Sequence, residues 1–343
     1  MKFAYYILNT YIPEFDGPAA AVYDHYFDQV ETAEAVGFDA VWVTEHHFSH
    51  YGGLTPNPQL LLTAISQRTR RLRLGSSVSV LPLHHPLRIA EDFAMLDVLS
   101  GGRLEFGAGR GMVHSGYGGY GLSWADAQDR LKEALGLVER LWTEPAVTFE
   151  GRYYRCQDVT VLPRPIQQPR PPIWMPANAD LASFRWAGEH GYNLMTVPWV
   201  FPYETTDAGL QAYREARAAA GHTGPGRVVA VYPCHVAETS AQARAQAEDA
   251  WHRWRKLTEA ERPLDDRSPE HGPRQARYSY EGTVADHRAL FGDPQECIAA
   301  ARWVIDRLGV TDMGLVFHFG GIDPHAARRA VELWGREVAP ALG

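Results

Sequence analysis

The sequence of 343 residues predicts a single domain folded as a (β/α)8 barrel with insertions. Strand-like apolar runs alternate with helix-like segments for nearly the whole length of the chain, and the strand-like runs count to eight, each followed by a helix. Repeated βα units imply a parallel sheet, and eight such units close most economically into a barrel. An open, doubly wound sheet is the alternative architecture.

The predicted elements follow one another in a regular order. The strands are short apolar runs that cover residues 2–8, 40–45, 72–81, 104–109, 173–176, 192–197, 228–236 and 313–319. The helices have apolar residues at helical spacing and cover residues 22–36, 58–68, 87–99, 125–142, 181–190, 206–219, 241–257 and 324–338.

Two segments interrupt the alternation. Residues 147–162 predict a hairpin around Gly151, and the proline-rich stretch 163–172 predicts an extended connector, so that 147–172 forms one insertion. Residues 258–293 are polar, rich in proline, glycine and charge, and too long for an ordinary connection. We expect a mobile lid over the active-site face here, and a passive surface insertion is the alternative.

The composition argues against several functional classes. The formal net charge is −8 and the 33 lysines and arginines are scattered, so neither a nucleic acid nor an anionic membrane is an expected partner. Cys156, Cys234 and Cys297 lie far apart in no disulfide or zinc spacing, which suits a reducing cytoplasm. No apolar run reaches the length of a membrane span. We therefore expect a soluble, cytoplasmic enzyme.

The end of the second predicted strand carries the best catalytic candidate. The active site of such a barrel lies at the carboxyl ends of its strands, and this strand ends in Glu45, His46 and His47. Imidazole transfers protons near neutral pH, and Glu45 or His47 could fix the tautomer of His46. A structural histidine in a turn is the alternative. A metal site of His46, His47 and His50 lacks an HExxH-type spacing, so no metal is predicted.

Two further strand ends carry groups suited to an anion. Arg110 follows a glycine-rich strand end, where a guanidinium can bind a phosphate or the anionic edge of a reduced ring; a salt bridge at the rim is the alternative. Asn178 to Asp180 precede a helix, whose amides could bind a phosphate together with the Ser183 hydroxyl. A plain N-cap by Asn178 or Asp180 is the alternative.

A glycine-rich stretch between these sites does not mark a dinucleotide-binding fold. Residues 116–121 match GxGxxG, but they lie several residues beyond their strand, and the acids at the expected distance lie within a helix. We predict a flexible loop at the barrel mouth.

Motifs at these strand ends carry a family resemblance. The runs concerned are 43–48 (VTEHHF), 57–58 (NP), 81–92 (LPLHHPLRIAED), 96–97 (LD), 100–103 (SGGR), 106–107 (FG), 109–111 (GRG), 151–154 (GRYY), 163–167 (PRPIQ) and 319–321 (FGG). Together they resemble the bacterial-luciferase-like family of flavin-dependent monooxygenases. The likeness covers nearly the whole chain and is strongest over residues 40–112.

The resemblance implies a TIM barrel that binds reduced FMN. His46 falls on the family's catalytic histidine, and Ser77 and Val78 fall where these proteins place a non-proline cis peptide beneath the flavin ring. Arg110 matches a phosphate-contacting arginine. The further cofactor-binding positions that it implies are Met112, Asn178, Ala179 and Ser183. His47 and Trp199 are the expected substrate-side residues, and Glu45 accompanies His46 as a catalytic residue.

The implied reaction is monooxygenation. Reduced FMN, delivered by a separate flavin reductase, reacts with molecular oxygen to give a C4a-(hydro)peroxyflavin, which oxygenates a small organic substrate while His46 handles protons. The luciferase α subunit has a reactive cysteine where this chain has Gly109, so light emission is not implied. The segment 258–293 falls where that subunit has a mobile loop. An F420-dependent dehydrogenase of the same superfamily and a non-catalytic flavin-binding subunit are the alternatives, and we expect a homodimer.

Overall fold

The computed structural model describes residues 1–8, 10–52, 54–260 and 279–343. The strands are β1 (Lys2–Ile7), β2 (Ala40–Val43), β3 (Arg73–Ser76), β4 (Ser79–Val80), β5 (Leu104–Gly109), β6 (Val147–Glu150), β7 (Arg155–Val159), β8 (Ile173–Pro176), β9 (Asn193–Thr196), β10 (Val228–Val236), β11 (Leu290–Gly292) and β12 (Asp312–Val316). The α-helices are α1 (Pro13–Asp16), α2 (Ala19–Ala35), α3 (Pro58–Arg68), α4 (Pro86–Leu99), α5 (His114–Gly119), α6 (Ala127–Thr143), α7 (Leu181–Glu189), α8 (Tyr203–Ala219), α9 (Ser240–Ala260), α10 (Tyr280–Ala285), α11 (Pro294–Leu308), α12 (Pro324–Leu333) and α13 (Ala339–Leu342).

Eight of the strands close into a parallel barrel. Their order is β1-β2-β3-β5-β8-β9-β10-β12, and β12 returns to β1 with Asp312 opposite Lys2. The pairing of β9 with β10, which places Leu194 opposite Val228, completes the ring. The predicted (β/α)8 barrel is therefore confirmed. The predicted helices are present with ends shifted by a few residues, and side-chain caps at Asn57 and Asp323 fix where α3 and α12 begin.

Large aromatic side chains fill the barrel interior. Trp42 on β2 and Trp174 on β8 pack edge to face with ring centroids 5.1 Å apart. Two other strands separate β2 from β8, so this contact crosses the interior. The Trp42 ring also covers the neighbouring strand β3: a Cβ added to Gly75 would lie 2.0 Å from this ring, which explains why β3 has glycine there.

A buried ionic network occupies the amino-terminal end of the barrel. Glu105 accepts hydrogen bonds from the Trp174 indole at 2.6 Å, from Arg227 at 3.1 Å and from Arg73. Arg227 also binds Asp312 at 2.5 Å. Burial lowers the pKa of Arg227, but the two carboxylates outweigh burial and raise it. Because the site of such barrels lies at the opposite end, this network is structural.

The insertion at 147–172 contains the expected hairpin. Strands β6 and β7 pair antiparallel. The Glu133 carboxylate of α6 accepts hydrogen bonds from the backbone N–H groups of Arg152, Tyr153 and Tyr154, at 2.9, 2.8 and 2.8 Å. A Cβ on Gly151 would lie 2.2 Å from Glu133. The GRYY run is thus explained by how the hairpin attaches to α6.

Two other family-like runs also have structural roles. The buried Asp97 carboxylate at the end of α4 accepts hydrogen bonds from the amides of Ile166 and Gln167 at 2.8 and 3.0 Å, which anchors the connector. Gly320 has a φ of 57°, and an added Cβ would lie 1.8 Å from the carbonyl oxygen of Ala250 in α9. These residues hold neighbouring segments of the barrel wall together.

The predicted third strand, 72–81, is not continuous. It stops at Ser76 and resumes as β4, which pairs with β5. Between the two pieces, the Ser77–Val78 peptide bond is cis, as the resemblance implies.

Among the described residues, no helix is long and apolar enough to cross a membrane.

The described parts of the segment 258–293 contain regular structure that the sequence did not predict. Residues 261–278, which form the centre of the expected lid, lie outside the described residues. From Ser279 the chain forms α10 and β11, and β11 extends the sheet beside β10. Helix α11 then begins at a capping box of Asp293 and Glu296. The apolar run of β11 is only three residues long, so its polar neighbours mask it in the sequence.

Candidate active site

The carboxyl end of β2 is organised around the Glu45 carboxylate. Glu45 accepts hydrogen bonds from His47 Nε2 at 2.9 Å, from His84 Nε2 at 2.6 Å and from the Val80 amide at 3.1 Å. Burial would raise the pKa of Glu45, but the hydrogen bonds from the two imidazoles outweigh it and lower the pKa to about 2. Glu45 is therefore ionised, and it orients His47 and His84 instead of His46, in contrast to the prediction.

This cluster is also the place where a metal ion could fit. Glu45, His47 and His84 each place one ligand atom within 4.8 Å of the others. His50, the third histidine of the metal site that the sequence argues against, is exposed, with its Nδ1 at 2.9 Å from the Tyr11 carbonyl oxygen. Hydrogen bonds at 2.6 and 2.9 Å suffice to explain why the three side chains meet.

His46 is buried directly beside this cluster. Its ring packs edge to face on Tyr51 at 5.0 Å, and its backbone amide donates to the Thr55 carbonyl oxygen at 3.3 Å. Gly52 has a φ of 70°, and an added Cβ would lie 2.3 Å from the His46 ring. Burial lowers the pKa of His46 to about 4, against the opposing charge of Glu45. The imidazole is thus uncharged near neutral pH, and its Nδ1 has no hydrogen-bond partner within the described parts of the chain.

Arg110 follows the carboxyl end of β5, which β3 separates from β2, and it lies near Asp180 at the start of α7. Its exposed guanidinium stacks on Trp124 at 4.8 Å and forms no ion pair with any residue that the structure describes. Asp180 caps α7 by accepting the amides of Ala182 and Ser183, each at 3.1 Å, and the Ser183 hydroxyl at 2.9 Å. Burial raises the pKa of Asp180, but these hydrogen bonds and the charge of Arg110 lower it overall. The N-cap alternative for Asp180 is therefore what the geometry shows.

The cis peptide between Ser77 and Val78 lies between the two halves of the site. The Ser77 amide donates to the Val43 carbonyl oxygen at 2.8 Å, and the Ser77 hydroxyl contacts the buried Tyr6 hydroxyl. A Cβ on Gly109 would lie 2.5 Å from Val78. The close approach of Val78 to the end of β5 explains why the residue before Arg110 is a glycine.

The remaining predicted residues occupy three different environments. Met112 and Ala179 are exposed on the loops that follow β5 and β8. Asn178 accepts the Val197 amide at 2.8 Å, so its side chain ties β8 to β9. Trp199 is buried against Trp251 and Trp254 of α9, at 5.8 and 5.2 Å between ring centroids, and its ring is part of the barrel wall.

Sequence reasoning missed three features of this mouth. His84 was not singled out, although its neighbourhood with His85 in a proline-flanked run was a usable signal. The stretch expected to be a flexible loop forms helix α5, whose Tyr117 hydroxyl donates to the Arg110 carbonyl oxygen at 2.6 Å. Phe48, an exposed phenylalanine with a φ of 57°, could not have been identified from its residue type.

The fold and site define an enzyme of the (β/α)8-barrel class whose mouth combines an uncharged histidine with groups that attract an anion. The chain belongs to the luciferase-like monooxygenase family, whose sequence model matches residues 1–312.

Three relatives illustrate the range of this family. The crystal structure of monooxygenase RslO1 from Streptomyces bottropensis matches with a TM-score of 0.91 and 30% identity over 100% of both chains. The oxygenase component of the flavin-dependent trigonelline monooxygenase of Acinetobacter baylyi is 32% identical over 179 residues, 52% of this chain and 49% of the relative. An F420-dependent glucose-6-phosphate dehydrogenase of Nakamurella multipartita is 31% identical over 324 residues, 92% of this chain and 91% of the relative.

Proposed function

We propose that this protein is the oxygenase component of a two-component monooxygenase that uses reduced FMN and molecular oxygen to oxygenate a small organic substrate. The observation that carries the proposal is that one barrel mouth holds both an uncharged, buried His46 and an anion-attracting pair, Arg110 and the start of α7. Reduced FMN, when bound, supplies the electrons that activate oxygen. The Acinetobacter relative, named an oxygenase component, supports a separate flavin reductase as partner.

The residues present fit the phosphate of a flavin. The amides of Ala182 and Ser183 donate to the Asp180 carboxylate, and a flavin phosphate would take the place of this anion at the start of α7. Arg110 would add a charge-assisted contact. Ser77, Val78, Met112 and Ala179 are the further residues proposed to contact the cofactor, and Asn178 would hold the β8 end in place.

The proton chemistry is assigned to His46. Its imidazole is uncharged near neutral pH and can therefore accept a proton from a reacting group. Glu45 acts indirectly: its carboxylate fixes the orientation of the neighbouring His47, and we propose that His47 faces the substrate. Burial of this strand end keeps water away from the reacting groups.

A flavin titration tests the cofactor assignment. Replacing Arg110 by alanine should raise the dissociation constant of reduced FMN about tenfold or more, because a hydrogen bond to a charged group contributes about 1.5–3 kcal/mol. Riboflavin, which lacks the phosphate, should bind the variant and the wild type alike. Anaerobic titration measures both, and Arg155→Ala, on the exposed hairpin, is the matched control. Unchanged FMN affinity in Arg110→Ala would contradict the phosphate assignment.

The alternative cofactor is F420, which the Nakamurella relative supports. Titrating F420 beside FMN and measuring oxygen consumption with each reduced cofactor separates the two functions. Tight F420 binding without oxygen consumption would replace the monooxygenase by a dehydrogenase, in which hydride transfer takes the place of oxygen chemistry.

We also propose a homodimer formed through the outer face of α4. Four apolar side chains are exposed there: Met95, Val98 and Leu99 on the helix, and Ile166 on the connector beside it. Monomeric proteins seldom expose apolar side chains in such a group, and a second chain would cover them. Light scattering during gel filtration should show a mass of two chains, and the double variant Met95→Asp, Leu99→Asp should show one. A wild type that elutes as a monomer would contradict this arrangement.

A further inference from the structure

Two exposed aromatic rings lie together at the mouth of the candidate site. Phe48 is 67% exposed and Tyr120 is 48% exposed, and their ring centroids are 5.6 Å apart at an interplanar angle of 48°. The His47 ring is 5.8 Å from Phe48 and 5.2 Å from Tyr120. We call these three residues the aromatic platform. It begins one residue after His46, so a molecule held on it lies beside the candidate catalytic group.

Phe48 combines two unfavourable features. Its φ of 57° lies in the left-handed region, which residues with a Cβ rarely adopt, and its large apolar ring is open to solvent. Backbone conformations of this kind persist where the surroundings hold them, and they concentrate at ligand-binding sites. Packing within the described chain does not account for the exposure of this ring.

The ring of Phe48 nevertheless packs at a defined position on the backbone. A Cβ added to Gly119 would lie 2.2 Å from it, so the ring rests directly on the backbone at the end of α5. On its other side, Tyr120 follows Gly119 and supplies the second ring. The positions of both rings are thus set by the same short helix.

His47 makes the platform rigid. Its Nε2 donates to the buried Glu45 carboxylate at 2.9 Å, and its ring stands at 90° to that of Tyr120. The Ser115 hydroxyl of α5 donates to the His47 carbonyl oxygen at 3.1 Å. The strand end and α5 are therefore joined, and the platform keeps its shape without a ligand.

We propose that Phe48 and Tyr120 bind the substrate and select a planar, conjugated ring system with a polar group at its edge. A flat ring can contact both aromatic rings in offset or edge-to-face geometry, whereas a flexible chain loses conformational freedom for less contact. The Tyr120 hydroxyl, which bonds to no residue that the structure describes, can serve the polar edge. This inference rests on the proposed function and names its class of substrate.

A pair of probes with equal carbon content tests the selection. 1-Naphthol is a planar ring with one hydroxyl, and 1-decanol is a chain with one hydroxyl. In titration calorimetry, Phe48→Gly should raise the dissociation constant of 1-naphthol about tenfold or more and leave that of 1-decanol within about twofold. The melting temperature should not fall, because glycine adopts a left-handed backbone without steric cost. Leu162→Ala, an exposed apolar residue on the insertion, is the control.

Several results would overturn the proposal. These are a wild type that binds both probes equally or fails to bind 1-naphthol, an equal loss of both probes in Phe48→Gly, or a clear fall in its melting temperature. A change from dimer to monomer in the same variant would show instead that the ring belongs to a contact between chains. The probe titrations are run without flavin, so a failure to bind FMN would contradict the proposed function alone and leave this comparison valid.

Discussion

Replacing Glu105 by alanine is expected to lower the free energy of unfolding by about 3–5 kcal/mol, because it removes the buried partner that two arginines share and leaves the Trp174 indole without an acceptor. Arg73 and Arg227 both point at this carboxylate, and the Trp174 indole donates to it at 2.6 Å. The alanine side chain would leave the Trp174 indole and Arg73 without this carboxylate, and Arg227 with Asp312 alone. Urea denaturation, followed by far-UV circular dichroism and tryptophan fluorescence, measures the change.

Two control variants separate burial from charge. Glu31 pairs with Arg68 on the surface, where both side chains are about half exposed, and Glu31→Ala should cost no more than about 1 kcal/mol. Glu105→Gln keeps an acceptor for Trp174 but removes the charge, so its loss should lie between those of the two alanine variants. A loss below about 1 kcal/mol in Glu105→Ala would show that the network contributes little to folding.

The barrel was predictable because its determinants are local. Each barrel strand is buried on both faces, so it reads as a short apolar run, and helices that cover such a sheet have an apolar stripe. Thus β2 and β10 are buried at every position, and both were found with nearly correct ends. Strand β11 and helix α11 were missed, because their polar neighbours and the length of 258–293 suggested an insertion.

The candidate site was predictable only in part, because its chemistry depends on contacts between distant residues. The sequence placed Glu45, His46 and Arg110 at strand ends, which the periodic pattern locates. It could not show that Glu45 pairs with His84, 39 positions away, because that contact depends on how two loops pack against each other in the folded barrel. For the start of α7 the sequence allowed either a phosphate site or an N-cap by Asp180, and only the folded position of the Asp180 side chain shows the cap.

Replacing His46 by glutamine is expected to reduce turnover about 10²–10⁴-fold, the usual contribution of a positioned acid–base group. The affinity for reduced FMN should stay within about twofold, because no phosphate-side residue contacts this ring. Stopped-flow mixing with oxygen and product analysis measure turnover once a substrate is in hand. His50→Gln removes an exposed imidazole from the same segment and should leave turnover unchanged. Equal activity in the two variants would remove His46 from the mechanism.

The same variant makes a second, substrate-free measurement possible. The pKa of His46 is lowered from 6.5 to about 4 by burial. His46 is therefore protonated in the unfolded chain below about pH 6.5, but in the folded protein only below about pH 4. The free energy of unfolding should therefore fall as the pH drops through this window, by up to about 3 kcal/mol from this group, and show no such contribution above it. His46→Gln should lose this part of the acid sensitivity in urea denaturation between about pH 4 and about pH 7.5. If both proteins show the same slope, the pKa of His46 is the same in the folded and the unfolded chain, and burial does not hold its imidazole uncharged.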